Sequence, residues 1–351
     1  MLVYIAFAIA LFFAMNIGAS GAAAAMGVSY GSGAIKHRKA ALAICALGIL
    51  LGAVIGGGEV VKTIGSGIIP ESILTVELVI IILASATLSL FFANLIGIPL
   101  STSEVTVGSV VGVGIAYQSV YIQKLLVVMS FWIIVPIVSF VIAFVCGWLL
   151  KKKKKPTQQK WKKPLAALVI ATGFFEAFSA GMNNVANAVG PLVGAGMIST
   201  STGVIAGGLA VAIGALLLGD RVIETNGKKI TDFTVGEGCI ISGTGASLVT
   251  AASIFGLPVP LTQVTTSSII GIGAAKSGFT SDQRRVIVQM LKVWVVSPVF
   301  SLVISYGLVK LVVETDFYAF VVLMSGCIAT YGILSLIKTT KQKQENQKMT
   351  A

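Results

Sequence analysis

Apolar stretches long enough to cross a bilayer recur along most of this chain, at about 2–33, 40–56, 73–97, 101–118, 124–150, 165–198, 203–219, 236–256, 262–277, 288–313 and 317–338. Hydrocarbon offers no partner for a backbone amide, so a chain of this kind must fold as helices or as a closed barrel, and runs of roughly 17–25 apolar residues are the helical case. The expectation is an all-α polytopic membrane protein of about 10–12 transmembrane segments. With Asp and Glu totalling 13 in 351 residues, there is too little acidic surface for a soluble protein of this size. The first run lacks a basic leader, and the rest of the chain never turns soluble, so it reads as a retained span.

The net charge of +12 first suggests a nucleic-acid partner, but the positions of the charges exclude one. With the N-terminus outside and one crossing per segment, the inner loops hold 21 of the 25 Lys and Arg when Lys276 and Lys338 at the segment edges are counted, notably Lys36–Lys39, Lys151–Lys163, Arg221 with Lys228 and Lys229, Arg284 with Arg285, and the tail. Such a bias is the positive-inside signature of a multi-pass protein of the plasma membrane with a cytoplasmic C-terminus. Binding of membrane lipid by Lys151–Lys155 is a secondary expectation. Cys45, Cys146, Cys239 and Cys327 are scattered in apolar runs and read as buried thiols, while His37 sits in a basic loop. No metal or cofactor set and no HExxH, GxSxG or paired-Asp motif is present, so the chain is not read as an enzyme.

The basic linker divides the chain into unequal halves, five segments before it and six after. An odd number in the first half starts the second from the opposite side of the membrane. Three segment pairs match in order. Asn16 aligns with Asn183, Gly58–Thr63 with Asp220–Thr225, and Gly97–Glu104 with Gly256–Gln263. The organisation expected is a first membrane repeat at 1–150, a basic cytoplasmic linker at 151–164, an inverted repeat at 165–313, an added helix at 314–338 and a tail at 339–351. Inverted repeats with broken helices are the architecture of secondary transporters working by alternating access, which an open channel does not require. The fifth segments, with Pro136 and Pro298, look less distinctive.

Four polar patches interrupt the apolar runs. Two contain asparagines, Asn16 with Ser20 and Asn183-Asn184-x-x-Asn187. Two follow a proline, Ser101-Thr102-Ser103-Glu104-Val105-Thr106 and Thr262-Gln263-Val264-Thr265-Thr266-Ser267-Ser268. Proline followed by hydroxyl residues signals a helix start, where free N–H groups and the positive end of the dipole favour an anion. One such patch could merely bond its own helix turn. Four patches placed symmetrically point to a substrate site built from Asn16, Ser20, Asn183, Asn184, Asn187, Ser101, Thr102, Ser103, Thr262 and Gln263. Ion pairs among Glu59, Asp220, Arg221 and Glu224 read as topology and gating elements at segment ends.

These motifs resemble the inorganic phosphate transporter family over nearly the whole chain. Its repeated Gly-Ala-Asn-Asp-Val-Ala-Asn signature stands here as Gly181-Met182-Asn183-Asn184-Val185-Ala186-Asn187, and its Pro-Val-Ser-Thr-Thr-His signature as Pro99-Leu100-Ser101-Thr102-Ser103-Glu104. The resemblance implies cation-coupled oxyanion uptake. Ile17 and Asn184 replace both signature aspartates, and Glu104 and Gln263 both signature histidines. A carboxylate accepts the proton that phosphate carries at neutral pH and repels sulfate, which has none, so these losses favour sulfate. The chain is similar to the sulfate-permease branch of the family. The expected cargo is sulfate, with thiosulfate or another tetrahedral oxyanion beside it, and an inorganic phosphate symporter coupled to sodium or protons is the alternative. Glu104 and Glu176 are the candidate coupling groups, with a proton preferred to sodium, because the acids that a sodium site would use are gone. A homodimer is compatible with the sequence.

Overall fold

The computed structural model describes residues 1–95, 100–152, 162–229, 233–278 and 281–318, together with 320–322 and 325. The described residues are helical throughout. In chain order the helices are α1 (Leu2–Gly31), α2 (Arg38–Gly56), the short α3 (Gly58–Lys62), α4 (Val76–Leu95), α5 (Thr102–Ala116), α6 (Ile122–Lys152), α7 (Lys162–Gly194), α8 (Thr200–Lys229), α9 (Val235–Ile254), α10 (Leu261–Ser277) and α11 (Ser281–Leu308). Single π-turns follow α3 and α11. Six of these helices are long and apolar enough to cross a membrane. The expected added helix at 314–338 and the tail fall mostly outside the described residues, as does most of the basic linker.

Each long helix divides into two faces. Along α6 the buried residues Val128, Trp132, Val135, Ser139, Ala143 and Gly147 recur at helical spacing. Ile133, Ile137 and Val141, half exposed, form the outer stripe. A long helix with one face in protein and the other apolar and exposed is suited to lipid.

The halves interleave. α1 packs along α8, and α2 along α7, so the first helix of each half meets the second of the other. In the same way α5 packs along α11 and α10 along α6. Small residues make this possible. A Cβ on Gly18 would run into the Val211 carbonyl and one on Gly214 into Met15, which knits α1 to α8. Gly52 against the Phe178 carbonyl and Gly181 against Ile49 do the same for α2 and α7. Where lipid is as apolar as leucine, such close backbone approach supplies much of the helix association.

α5 has 15 residues and α10 has 17. At 1.5 Å per residue they reach roughly 22–26 Å, short of the ~30 Å hydrocarbon core. Single crossings throughout would put the starts of these two helices on opposite faces of the bilayer. Instead they touch. Gln263 of α10 donates to the Glu104 carboxylate of α5, and the Ser103 hydroxyl lies 3.3 Å from the Val259 carbonyl. The segments 101–118 and 262–277 are therefore re-entrant arms. α4 packs on α5 and α9 on α10, and the starts of α5 and α10 meet, so single crossings, one of the two possibilities the sequence leaves open for these segments, do not describe them.

Gly181→Val should lower stability by about 1–3 kcal/mol through overpacking at the α2–α7 seam. Gly21→Ala, where an added Cβ meets nothing within 4 Å, should leave the melting temperature in detergent unchanged. Equal melting temperatures for the two variants would refute the close-packing account.

Candidate functional site: two hairpin tips around the α7 asparagines

The asparagine motif lies two-thirds of the way along α7, on a turn with no exposed surface. Asn183 is fully buried, and all its bonds go to the second hairpin and to α5. Its Nδ2 donates to Ser253 Oγ of α9 at 2.9 Å and to the Leu257 carbonyl at 3.0 Å. Its Oδ1 accepts from the Val259 amide at 3.1 Å and is reached by the Ser103 hydroxyl at 3.4 Å. A side-chain amide has two donors and two acceptor sites, so Asn183 is saturated. It acts as the clamp of the hairpin turn and has no hydrogen-bonding capacity left for an anion in this conformation.

Asn187, one turn later, faces the start of α5. Its Nδ2 lies 3.3 Å from Ser103 Oγ and 3.4 Å from Thr102 Oγ1. Ser101 is the N-cap of α5, its hydroxyl accepting from the Glu104 amide. The N-capping serine sets where this helix begins. The start of α5 thus gathers two hydroxyls, a side-chain amide and the positive end of a helix dipole in a buried place. Such a donor set stabilises an oxyanion. Asn184 is 6% exposed, and its Oδ1 has no hydrogen-bond partner, nor has Asn187 Oδ1.

Two buried carboxylates border this cluster. Glu104 Oε1 accepts from Gln263, whereas Oε2 has no partner although the Ser297 hydroxyl of α11 lies close by. Glu176, seven residues before Asn183 on α7, accepts from Thr265 Oγ1 at 2.7 Å. Its Oε2 is unpartnered beside Ser242 of α9. Each acid thus bonds to one helix start or hairpin helix and keeps one oxygen unengaged.

The structure brings together Asn183, Asn187, Ser101, Thr102, Ser103, Glu104 and Gln263, with Asn184 on the adjoining α7 face. Asn16 and Ser20 do not join them. Asn16 donates to the Phe12 carbonyl at 2.8 Å and Ser20 to the Asn16 and Ile17 carbonyls, bonds within α1. Thr262 is exposed, at the outer side of the α10 start. Sequence reasoning did not find Ser253, the Leu257–Val259 backbone or Trp132, and it placed Thr265 in a polar patch without a role. The Trp132 indole donates to the Pro258 carbonyl at 2.8 Å. A signal for that residue existed in the shared Trp-x3-Pro-x2-Ser pattern of α6 and α11.

At the segment ends, Glu59 pairs with Lys62 at 2.6 Å, and Asp220 with Arg38 at 3.4 Å. Both are exposed pairs, of the kind worth about 0–1 kcal/mol.

Inverted helical hairpins meeting tip to tip among long spanning helices define a polytopic carrier-type membrane fold. The Phosphate transporter family matches residues 17–305, and the chain belongs to that family. It is 57% identical over 337 residues to "Sulfate permease CysP" of Bacillus subtilis, covering 96% of this chain and 95% of that one. A putative phosphate permease of Pyrococcus furiosus is 29% identical, covering 81% of this chain and 90% of its own length. The fold is that of a solved structure described as "The sodium-dependent phosphate transporter", with a TM-score of 0.76, 22% identity, and coverage of 89% of this chain and 99% of the other.

Asn183→Ala should leave the Leu257 carbonyl and Val259 amide without their buried partner, at about 1–3 kcal/mol per group. Hydrogen exchange at Val259 should accelerate at least fivefold in that variant and stay unchanged in Asn16→Ala. Unchanged protection in Asn183→Ala would show that the clamp is not needed.

Proposed function

We propose that this protein is a sulfate uptake permease of the plasma membrane, a symporter that carries the tetrahedral dianion by alternating access. The observation that supports this most directly is the pair of positions where the family signature has aspartate. Ile17 is a core residue with 1% exposure, and Asn184 is a buried amide. Ile17 has no acceptor and Asn184 only a neutral amide oxygen, so neither offers the anionic acceptor that suits a protonated phosphate, and neither repels a dianion that has no proton to give. The donors at the start of α5, Thr102, Ser103 and Asn187, are the groups proposed to hold it, with Ser101 capping that start, and with Asn183, Asn184 and Gln263 shaping the space between the tips. Similarity to the Bacillus subtilis sulfate permease favours the same cargo.

Asn16, Ser20 and Thr262 belong to this proposal only through a rearrangement that brings α1 and the outer side of α10 to the tips. Coupling is assigned to a proton. Glu104 sits at the joint between the two tips, and protonation would turn its acceptor oxygens partly into a donor and change the bond to Gln263. Glu176 is the second candidate, one helix layer away. The distribution of Lys and Arg supports an outside N-terminus and a cytoplasmic C-terminus.

Purified protein in liposomes should accumulate labelled sulfate when the outside is acidic and sodium is absent. Thiosulfate should compete, and phosphate at tenfold excess should not. Phosphate uptake that excess sulfate leaves untouched would replace sulfate by the phosphate-symporter reading. Accumulation driven by a sodium gradient alone would assign sodium as the coupling ion. Glu104→Gln should abolish proton-driven accumulation while preserving sulfate binding, and full accumulation in that variant would remove Glu104 from the mechanism.

A further inference from the structure

The fifth helix of each half carries one pattern, Trp132-x3-Pro136-x2-Ser139 in α6 and Trp294-x3-Pro298-x2-Ser301 in α11, at a constant offset of 162 residues. The hairpin helices on which they pack are related by an offset of 159, so that Val264, Ser268 and Gly271 of α10 correspond to Val105, Ser109 and Gly112 of α5. The packing seam obeys both offsets. A Cβ on Gly271 would meet the Phe140 carbonyl, and one on Gly112 would meet the Leu302 carbonyl, its equivalent. The two helix pairs therefore pack in the same register.

Their polar bonds differ. On the α6–α10 side the Trp132 indole donates to the Pro258 carbonyl at 2.8 Å, the Ser139 hydroxyl reaches the Val264 carbonyl at 2.7 Å, and the Ser139 and Ser268 hydroxyls lie 2.6 Å apart. On the α11–α5 side neither serine equivalent is formed among the described residues, and the carbonyl equivalent to that of Pro258, at Pro99, lies outside them. Trp294 Nε1 is buried without a partner. Ser301 bonds the Pro298 carbonyl of its own helix at 3.1 Å, and Ser109 bonds Val105 within α5 at 2.8 Å. A buried N–H without a partner is costly in a single state. Inverted repeats supply a second state in which the two halves exchange conformations.

We infer that Trp132 and Trp294 are paired positioning residues that fasten the two hairpins in alternation. In the conformation described, Trp132 and Ser139 hold the second hairpin while Trp294 and Ser301 leave the first unfastened. In the opposite-facing state Trp294 finds an acceptor at the start of α5, and Trp132 lets go of Pro258. Pro136 and Pro298, each lacking an N–H, let the two helices flex one turn beyond the tryptophans. The fastening reaches the site through one residue, because Val259, next to Pro258, donates to the Asn183 clamp. This inference rests on the alternating-access reading of the function, but not on which anion is carried.

The test uses the full chain in lipid nanodiscs without any transported anion, so a different cargo leaves its outcome unchanged. Incorporated 5-fluorotryptophan reports on the four tryptophans, and Trp148→Phe and Trp161→Phe identify two of the resonances. The remaining two should move reciprocally with temperature, one toward the bonded position as the other leaves it. Trp132→Phe should shift Trp294 toward its bonded state about fivefold, the effect of one buried neutral hydrogen bond. Trp294→Phe should shift Trp132 likewise. A single cysteine at position 262, in a chain otherwise free of cysteine, reads the double variant. Impermeant maleimide should label it faster in one single variant and slower in the other, with the double variant back near the unsubstituted rate. Shifts of both single variants in the same direction, a double variant that does not return near the unsubstituted rate, or two invariant resonances would overturn the inference. Should a phenylalanine variant fail to fold, the reciprocal movement in the unsubstituted fluorinated chain decides alone.

Discussion

The interaction on which the site depends is the four-way bonding of the Asn183 amide. A hairpin turn inside a membrane leaves backbone groups that neither water nor a regular helix can satisfy. Asn183 takes up two of them, the Leu257 carbonyl and the Val259 amide, and Ser253 anchors its other donor. Irregular backbone at membrane depth is tolerated where protein buries it and meets its hydrogen bonds. With that turn fixed, α10 starts where Gln263 can reach Glu104, and the two tips are joined. Asn187 does for the start of α5, through hydroxyls, part of what Asn183 does for the second hairpin through backbone.

Glycine supports this arrangement at a distance. α7 can carry its asparagines to the hairpin tips because Gly181 lets it lie against the backbone of α2, and Gly190 and Gly194 let it lie against the π-turn at Thr63–Gly67. A larger residue at these places would move α7 away from α2, and with it the clamp. The small residues and the asparagines in one motif are therefore parts of one requirement, close approach and internal satisfaction of polar groups.

Much of this was legible in the residues. The apolar runs located most helix ends to within a few residues, although α8 runs ten residues past 219 and α11 begins seven before 288, and proline followed by hydroxyl residues located the starts of α5 and α10. Depth was not legible, because an apolar run of 15 to 17 residues reads the same whether it crosses or stops halfway. The bonding of Asn16 was not legible for a related reason. Repetition shows that two residues occupy matching places in two halves, but the halves need not hold the same conformation, and Asn16 turns back on its own helix. Trp132 and Trp294 escaped because a tryptophan in a membrane helix is commonplace, and a pattern of single residues separated by apolar ones stands out only once the partner carbonyl is seen.

On the proposed reading, selectivity and proton coupling follow from what the clamp leaves over. Asn183 is saturated, so an anion between the tips meets Asn187, Thr102 and Ser103, whose protons can each turn toward it or toward a neighbour. An acid at position 184 would add a fixed acceptor and a negative charge to that space, and both suit an anion that brings its own proton. The amide at 184 brings a donor that can rotate inward, and Ile17 brings nothing polar. Glu104 remains the one acid at the tips, held by Gln263 through a single oxygen. An anion arriving beside it raises the cost of its charge, and a proton taken up at Glu104 lowers that cost. Binding of the dianion and of the proton are thereby favoured together, which is the thermodynamic requirement for moving both in one step.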